Sequence, residues 1–160
     1  MSHPRRTCVT LILVASLFSA LVPAVLSAQL DPCKLLTKAQ VATVLPNPDG
    51  GSVTHSGPSL IEGVTAYQCS YLDPAFNLFT VVLNVAVDDK RFAEIRPSFS
   101  MTETTKVQVA DGGWLRGNPN DMKLAAVKGL TVIDLELMAP GAGQKGPALV
   151  ALGNAIAGKL

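Results

Sequence analysis

The sequence predicts an α+β domain: a largely antiparallel sheet of about six strands, covered by three helices and tied by one disulfide. Three observations carry this reading. Apolar residues alternate strictly over Phe79, Val81, Leu83, Val85 and Val87, the mark of a half-buried strand. The other strand signals are joined by short turns rather than long crossovers, which makes the pairing antiparallel. Two cysteines, Cys33 and Cys69, remain once an N-terminal leader is set aside.

Met1 to Ala28 reads as a secretory signal peptide, leaving 29–160 as a single domain. Arg5 and Arg6 form its charged start, and Cys8 to Val22 is uncharged and mostly apolar. Pro23 then breaks the helix, and Ser27 and Ala28 are small residues before the expected cut. Leu26 is large for its place, which leaves cuts after Ala24 or Ser27 open. The uncharged run from Thr7 to Leu30 is also long enough to span a bilayer, so an uncleaved anchor is the alternative. Thr7-Cys8-Val9 lacks the aromatic residue of a twin-arginine signal, and Gln29-Leu30-Asp31-Pro32 before Cys33 is no lipobox.

The leader also distorts the bulk numbers. The whole chain is 48% apolar and 16% charged, with a net charge of +1. Without the leader, eleven Lys and Arg face twelve Asp and Glu, and the apolar share falls to about 45%, ordinary for a globular domain. A near-neutral chain carries no electrostatic footprint for nucleic acid, and this hydrophobicity excludes polar disorder. No second stretch is long and apolar enough to cross a membrane.

In an oxidising compartment Cys33 and Cys69 have only each other as partners. Their bridge would close a loop of about 37 residues, worth roughly 4 kcal/mol in the chain-entropy treatment. The spacing is unlike a redox Cys-x-x-Cys. His55, the only histidine after the leader, leaves a zinc site short of ligands, so no metal and no cofactor is expected.

Along the domain, Thr37 and Gln40 form a capping box for a helix over Lys38–Leu45, with Leu36 and Val41 as its staple and Pro46 as its stop. Asn47 to Pro58 reads as loop with a short edge strand near Val53. Thr65, Tyr67, Cys69 and Tyr71 alternate as a strand, Asp73-Pro74 turns, and Leu78 to Val87 returns as a hairpin partner. Asp88 or Asp89 caps a second helix with Phe92 and Ile95 facing the core. Thr104 to Ala110 reads as a strand, Gly112-Gly113 as a turn, and Trp114-Leu115-Arg116 as the next strand. Met122 to Lys128 and Leu130 to Met138 form a hairpin about Gly129. Pro140 to Gly146 links to a final helix that starts at Pro147 and buries Leu149, Leu152, Ile156 and Leu160.

Asp31-Pro32-Cys33-Lys34-Leu35-Leu36-Thr37, an apolar helix, and then Tyr67-Gln68-Cys69-Ser70-Tyr71 resemble a group of bacterial, mostly actinobacterial, exported and lipoprotein domains of unknown function. The shared pattern is D-P-C-x-L-L-T followed by C-x-Y, then strands, a Gly-rich turn and a terminal amphipathic helix. The resemblance implies an exported helix-and-sheet domain with a Cys33–Cys69 bridge. It transfers no catalytic residue and, without a lipobox, no lipid anchor.

Each candidate for chemistry has a plain structural explanation. His55 lies in a Ser/Thr/Gly loop with no nucleophile motif beside it. Asp88-Asp89 stands at a helix start. Asp134 and Glu136 share one face of a strand opposite Ile133, Leu135 and Leu137, as a solvated outer face would. Pro48 to Ser52 lacks the ending of a phosphate loop. Trp114, with Tyr67 and Tyr71, is the candidate binding surface, since aromatics are favoured at recognition surfaces. The expectation is an exported, non-catalytic binding or accessory domain, periplasmic or secreted, for an unidentified protein or small-molecule ligand. A structural envelope protein without ligand and a small extracytoplasmic hydrolase are the alternatives.

Overall fold

A computed structural model describes residues 30–96 and 104–160; the expected signal peptide, Met1 to Ala28, lies outside them. Asp31 opens the chain by accepting from the Cys33 N–H at 3.0 Å, which starts a single 3₁₀ turn over Pro32–Lys34. The predicted capping box then forms. The Gln40 N–H donates to Thr37 Oγ1 at 3.2 Å and the Thr37 N–H to Gln40 Oε1 at 2.8 Å. This starts α1 (Lys38–Val41), shorter than the sequence suggests. Thr43 Oγ1 donates to the Gln40 carbonyl, and the chain tightens into turns that still bury Val44 and Leu45.

Seven strands follow: β1 (Ser52–Pro58), β2 (Val64–Leu72), β3 (Leu78–Ala86), β4 (Thr105–Val107), β5 (Gly112–Asn118), β6 (Asp121–Lys128) and β7 (Thr131–Met138). They form one sheet in the order β1-β2-β3-β7-β6-β5-β4, and every strand pair is antiparallel. It is two meanders, β1–β3 and β4–β7, joined by the β3–β7 pairing. The helices α2 (Asp89–Ile95) and α3 (Gly146–Ala157) complete the α+β fold.

The count of seven rather than six comes from β1, read as mostly loop. Six of its seven residues are exposed, so no apolar alternation announces it. Its strand character lies in backbone bonding to β2, with an irregularity between Val53 and His55. Gly112-Gly113 is likewise not a turn but the start of β5. The turn lies earlier, where Ala110 takes a left-handed φ of 46°. Asn154 of α3 holds that turn, accepting from the Ala110 N–H at 3.2 Å and donating to the Gln108 carbonyl at 3.3 Å.

Cross-strand register separates the two faces. The row Cys69–Val81–Leu135–Leu124–Leu115 runs across five strands on one face. Its first four members are almost fully buried, beneath α1 and α3. Leu149, Leu152 and Ile156 of α3 enter this core as predicted, whereas Leu160 lies past the helix end and is exposed. Lys145 and Lys159 flank α3 and donate to the Thr43 and Leu35 carbonyls, holding the α1 segment against it.

The opposite row is Gln68–Val82–Asp134–Ala125–Trp114. Here α2 departs from expectation. Ile95 and Phe92 pack on Val64, Ala86 and Val132, residues of the outer face, in a second small core separate from the main one. One end of the outer face is thereby covered, and the rest has no helix upon it among the described residues.

The docking of α3 depends on a missing side chain. A Cβ at Gly153 would stand 2.6 Å from Leu124 Cδ2 and 3.1 Å from Val109 Cγ1. Gly153→Val should therefore destabilise the domain by about 1–3 kcal/mol, the usual range for overpacking. Urea unfolding monitored by circular dichroism checks this, and an unchanged midpoint would contradict the packing.

Candidate functional site

The outer face carries a cleft of about 340 Å³ over β7, β6 and β5. Its shape follows from side-chain size along one row. Ala125 sits between Trp114 and Asp134, and its small side chain leaves a depression between an indole wall and a carboxylate wall. Val82 on β3 lines the cleft beyond Asp134. The next row supplies a polar side, with Arg116, Lys123 and Glu136 directly opposite one another, and Thr104 completes the rim.

The charges here are arranged in a definite way. Lys123 Nζ lies 2.7 Å from Glu136 Oε1, both side chains being more than a third exposed. Asp134 is partly buried and meets an amide instead, accepting from Asn84 Nδ2 at 3.2 Å. Burial pushes its carboxyl up to about 7. The Asn84 hydrogen bond opposes the rise, the Glu136 charge adds to it, and Lys123 pulls back. Near neutral pH the group is therefore split between a proton donor and a charged acceptor.

Of the three aromatics expected to form one surface, only Trp114 is here. Tyr67 and Tyr71 share the other face with Cys69, as their spacing implied. Tyr67 packs against the main core, and Tyr71 is buried within it. The Tyr71 ring stacks on Phe79 with centroids 5.9 Å apart, and its hydroxyl donates to the Cys33 carbonyl at 3.2 Å. Burial first, then the charges of Asp31 and Asp49, raise its phenol above the ordinary value. Tyr71 is thus a core residue beside the Cys33–Cys69 disulfide, which is formed with the Cα atoms 5.2 Å apart.

The reading of Asp134 and Glu136 as a solvated outer face needs correction. They are on the outer face, but Asp134 is partly buried within the cleft. Arg116 and Lys123 were not singled out from the sequence. The signal that joins all four to Trp114 is parity across three strands, and it becomes readable only once register is known.

The remaining candidates have local roles. His55 lies on the exposed edge strand β1, in the same cross-strand row as Asp134 but three strand spacings away, about 14 Å at the usual interstrand distance. Asp88 caps α2, accepting from the Arg91 N–H at 2.8 Å. In the Pro48–Ser52 loop, Asp49 Oδ1 already accepts from the Gly51 and Leu72 N–H groups, so the loop is closed on its own carboxylate. Among the described residues, no three His, Cys, Asp or Glu side chains group as a metal site, and no helix is long and apolar enough to cross a membrane.

The chain matches no protein-family model, and no curated protein is similar to it in sequence. The function therefore rests on the site itself.

The raised Asp134 carboxyl makes a stability prediction. A group that holds its proton more tightly when folded favours the folded state at low pH. That contribution fades between the ordinary value of 3.8 and the folded value of about 7, and is gone above it. Asp134→Asn cannot take up this charge. Its thermal midpoint should rise relative to the unaltered protein as pH increases from 4 to 7, with a constant gap at higher pH. Parallel melting curves across that range would contradict the burial of Asp134.

Proposed function

We propose that the chain is an exported, non-catalytic binding domain that holds a small polar ligand in the outer-face cleft against Trp114. The observation that carries the reading is the placement of the chain's one tryptophan beside Asp134, Arg116 and Lys123 in a cleft of about 340 Å³. Ligand pockets of about 300–1,000 Å³ combine an apolar or aromatic surface with a few convergent polar groups. Export, to the periplasm or beyond, is supported by the leader-like N-terminus and by the disulfide, which persists in oxidising compartments. A leader retained as an anchor would keep the same domain on the outer side of the membrane.

One observation favours a second reading, a small hydrolase. Asp134 is partly protonated near neutral pH and Glu136 is a second carboxylate on the same strand face, the pairing that acid–base hydrolysis uses. Against it, Glu136 is neutralised by Lys123.

Binding to the native state raises the melting temperature by mass action. The secreted domain is screened by thermal shift against small anions, organic cations, amino acids and neutral polyols. At least one class should raise the midpoint, with the gain lost in Trp114→Ala while the ligand-free midpoint of that variant stays close to the original. Stabilisation by no class would leave the domain as a ligand-free structural protein. Breakdown of the stabilising compound by the unaltered domain, but not by Asp134→Asn, would favour the hydrolase.

A further inference from the structure

We propose that the ligand is a neutral saccharide, stacked by its C–H face on the Trp114 indole and hydrogen-bonded along its hydroxyl edge by Asp134 and its neighbours. This rests on the outer-face cleft being the binding site, and it follows from how the cleft disposes its charge.

An anionic ligand would bring its charge up to Asp134 and Glu136. Of the two cations that line the cleft, Lys123 is already engaged by Glu136 at 2.7 Å. An organic cation would find the Trp114 face and a carboxylate, a favourable pair in itself. It would also meet Arg116 beside the indole and Lys123 on the facing side. A neutral ligand faces no uncompensated like charge.

The walls are chemically unlike, and that narrows the class further. On one side is a single flat aromatic surface, with Ala125 as an apolar floor beside it. The facing side is polar: Asp134, Glu136 and Lys123 line it, and Arg116 stands beside the indole. A planar aromatic ligand would gain most from two aromatic walls, and here there is one. A pyranose ring has a C–H face to lay on indole. It also has an edge of hydroxyls, each one a donor and an acceptor. The cleft supplies acceptors in its carboxylates and donors in its ammonium and guanidinium groups, so both halves of each hydroxyl can be met. At about 340 Å³ the cleft suits a short saccharide rather than a long polymer segment.

Isothermal titration and Trp114 fluorescence are measured on the secreted domain with malto-, cello- and chito-oligosaccharides as neutral probes. Glucosamine and galacturonate oligomers serve as the charged counterparts. At least one neutral series should bind saturably and shift the Trp114 emission, with both charged series weaker. Trp114→Ala should weaken that binding about tenfold or more, as removal of a tryptophan anchor does, and Trp114→Phe should recover part of it. Asp134→Ala should weaken it without abolishing it, and circular dichroism confirms that each variant is folded. If all three neutral series are inert while a charged series or another compound binds at Trp114, the saccharide assignment is overturned and the binding role survives. If no compound of any class perturbs Trp114, both are overturned.

Discussion

Every cross-strand row that spans both meanders passes through the pairing of β3 with β7. The pairing joins the two meanders, and its register, Val81 opposite Leu135 and Val82 opposite Asp134, decides which face each side chain takes. Side chains alternate with a period of two, so a slip of one residue would exchange the faces. Asp134 would then enter the main core and Leu135 would enter water. The hydrophobic cost of that exchange holds the register, because Val81, Leu83, Ile133, Leu135 and Leu137 are all completely buried on the helix side.

The division of helices between the faces then shapes the cleft. α1 and α3 cover the inner face, tied to each other by Lys145 and Lys159 and, through Cys33, to β2. α2 takes one end of the outer face, over Val64, Ala86 and Val132. The outer rows toward β5 keep their polar and aromatic side chains in a cleft. The burial that raises the Asp134 carboxyl is therefore a product of the fold, since the same residue on a flat, solvated face would have no cause to hold a proton near pH 7.

Much of this was legible in the residues. Thr37 and Gln40 announced their capping box, Asp88 its helix, and the 79–83 alternation the central strand, because each signal is local and has a local cause. The disulfide followed from a count of two. β1 escaped because an edge strand of exposed residues has no hydrophobic pattern to show. The site escaped for a different reason. Tyr67, Tyr71 and Trp114 looked alike as aromatics on strands, and only register reveals that Trp114 points away from the tyrosines. By the same route Asp134, two strands from Trp114 in one row, becomes its neighbour across Ala125.

That neighbourhood is the central claim, and the single tryptophan allows a direct test of it. The emission of Trp114 is followed between pH 5 and pH 9 in the unaltered domain and in Asp134→Asn. A carboxyl that titrates across the cleft from the indole should give a transition centred at about 7 in the first and none in the second. A flat profile in the unaltered domain, or the same transition in both proteins, would contradict the shared cleft.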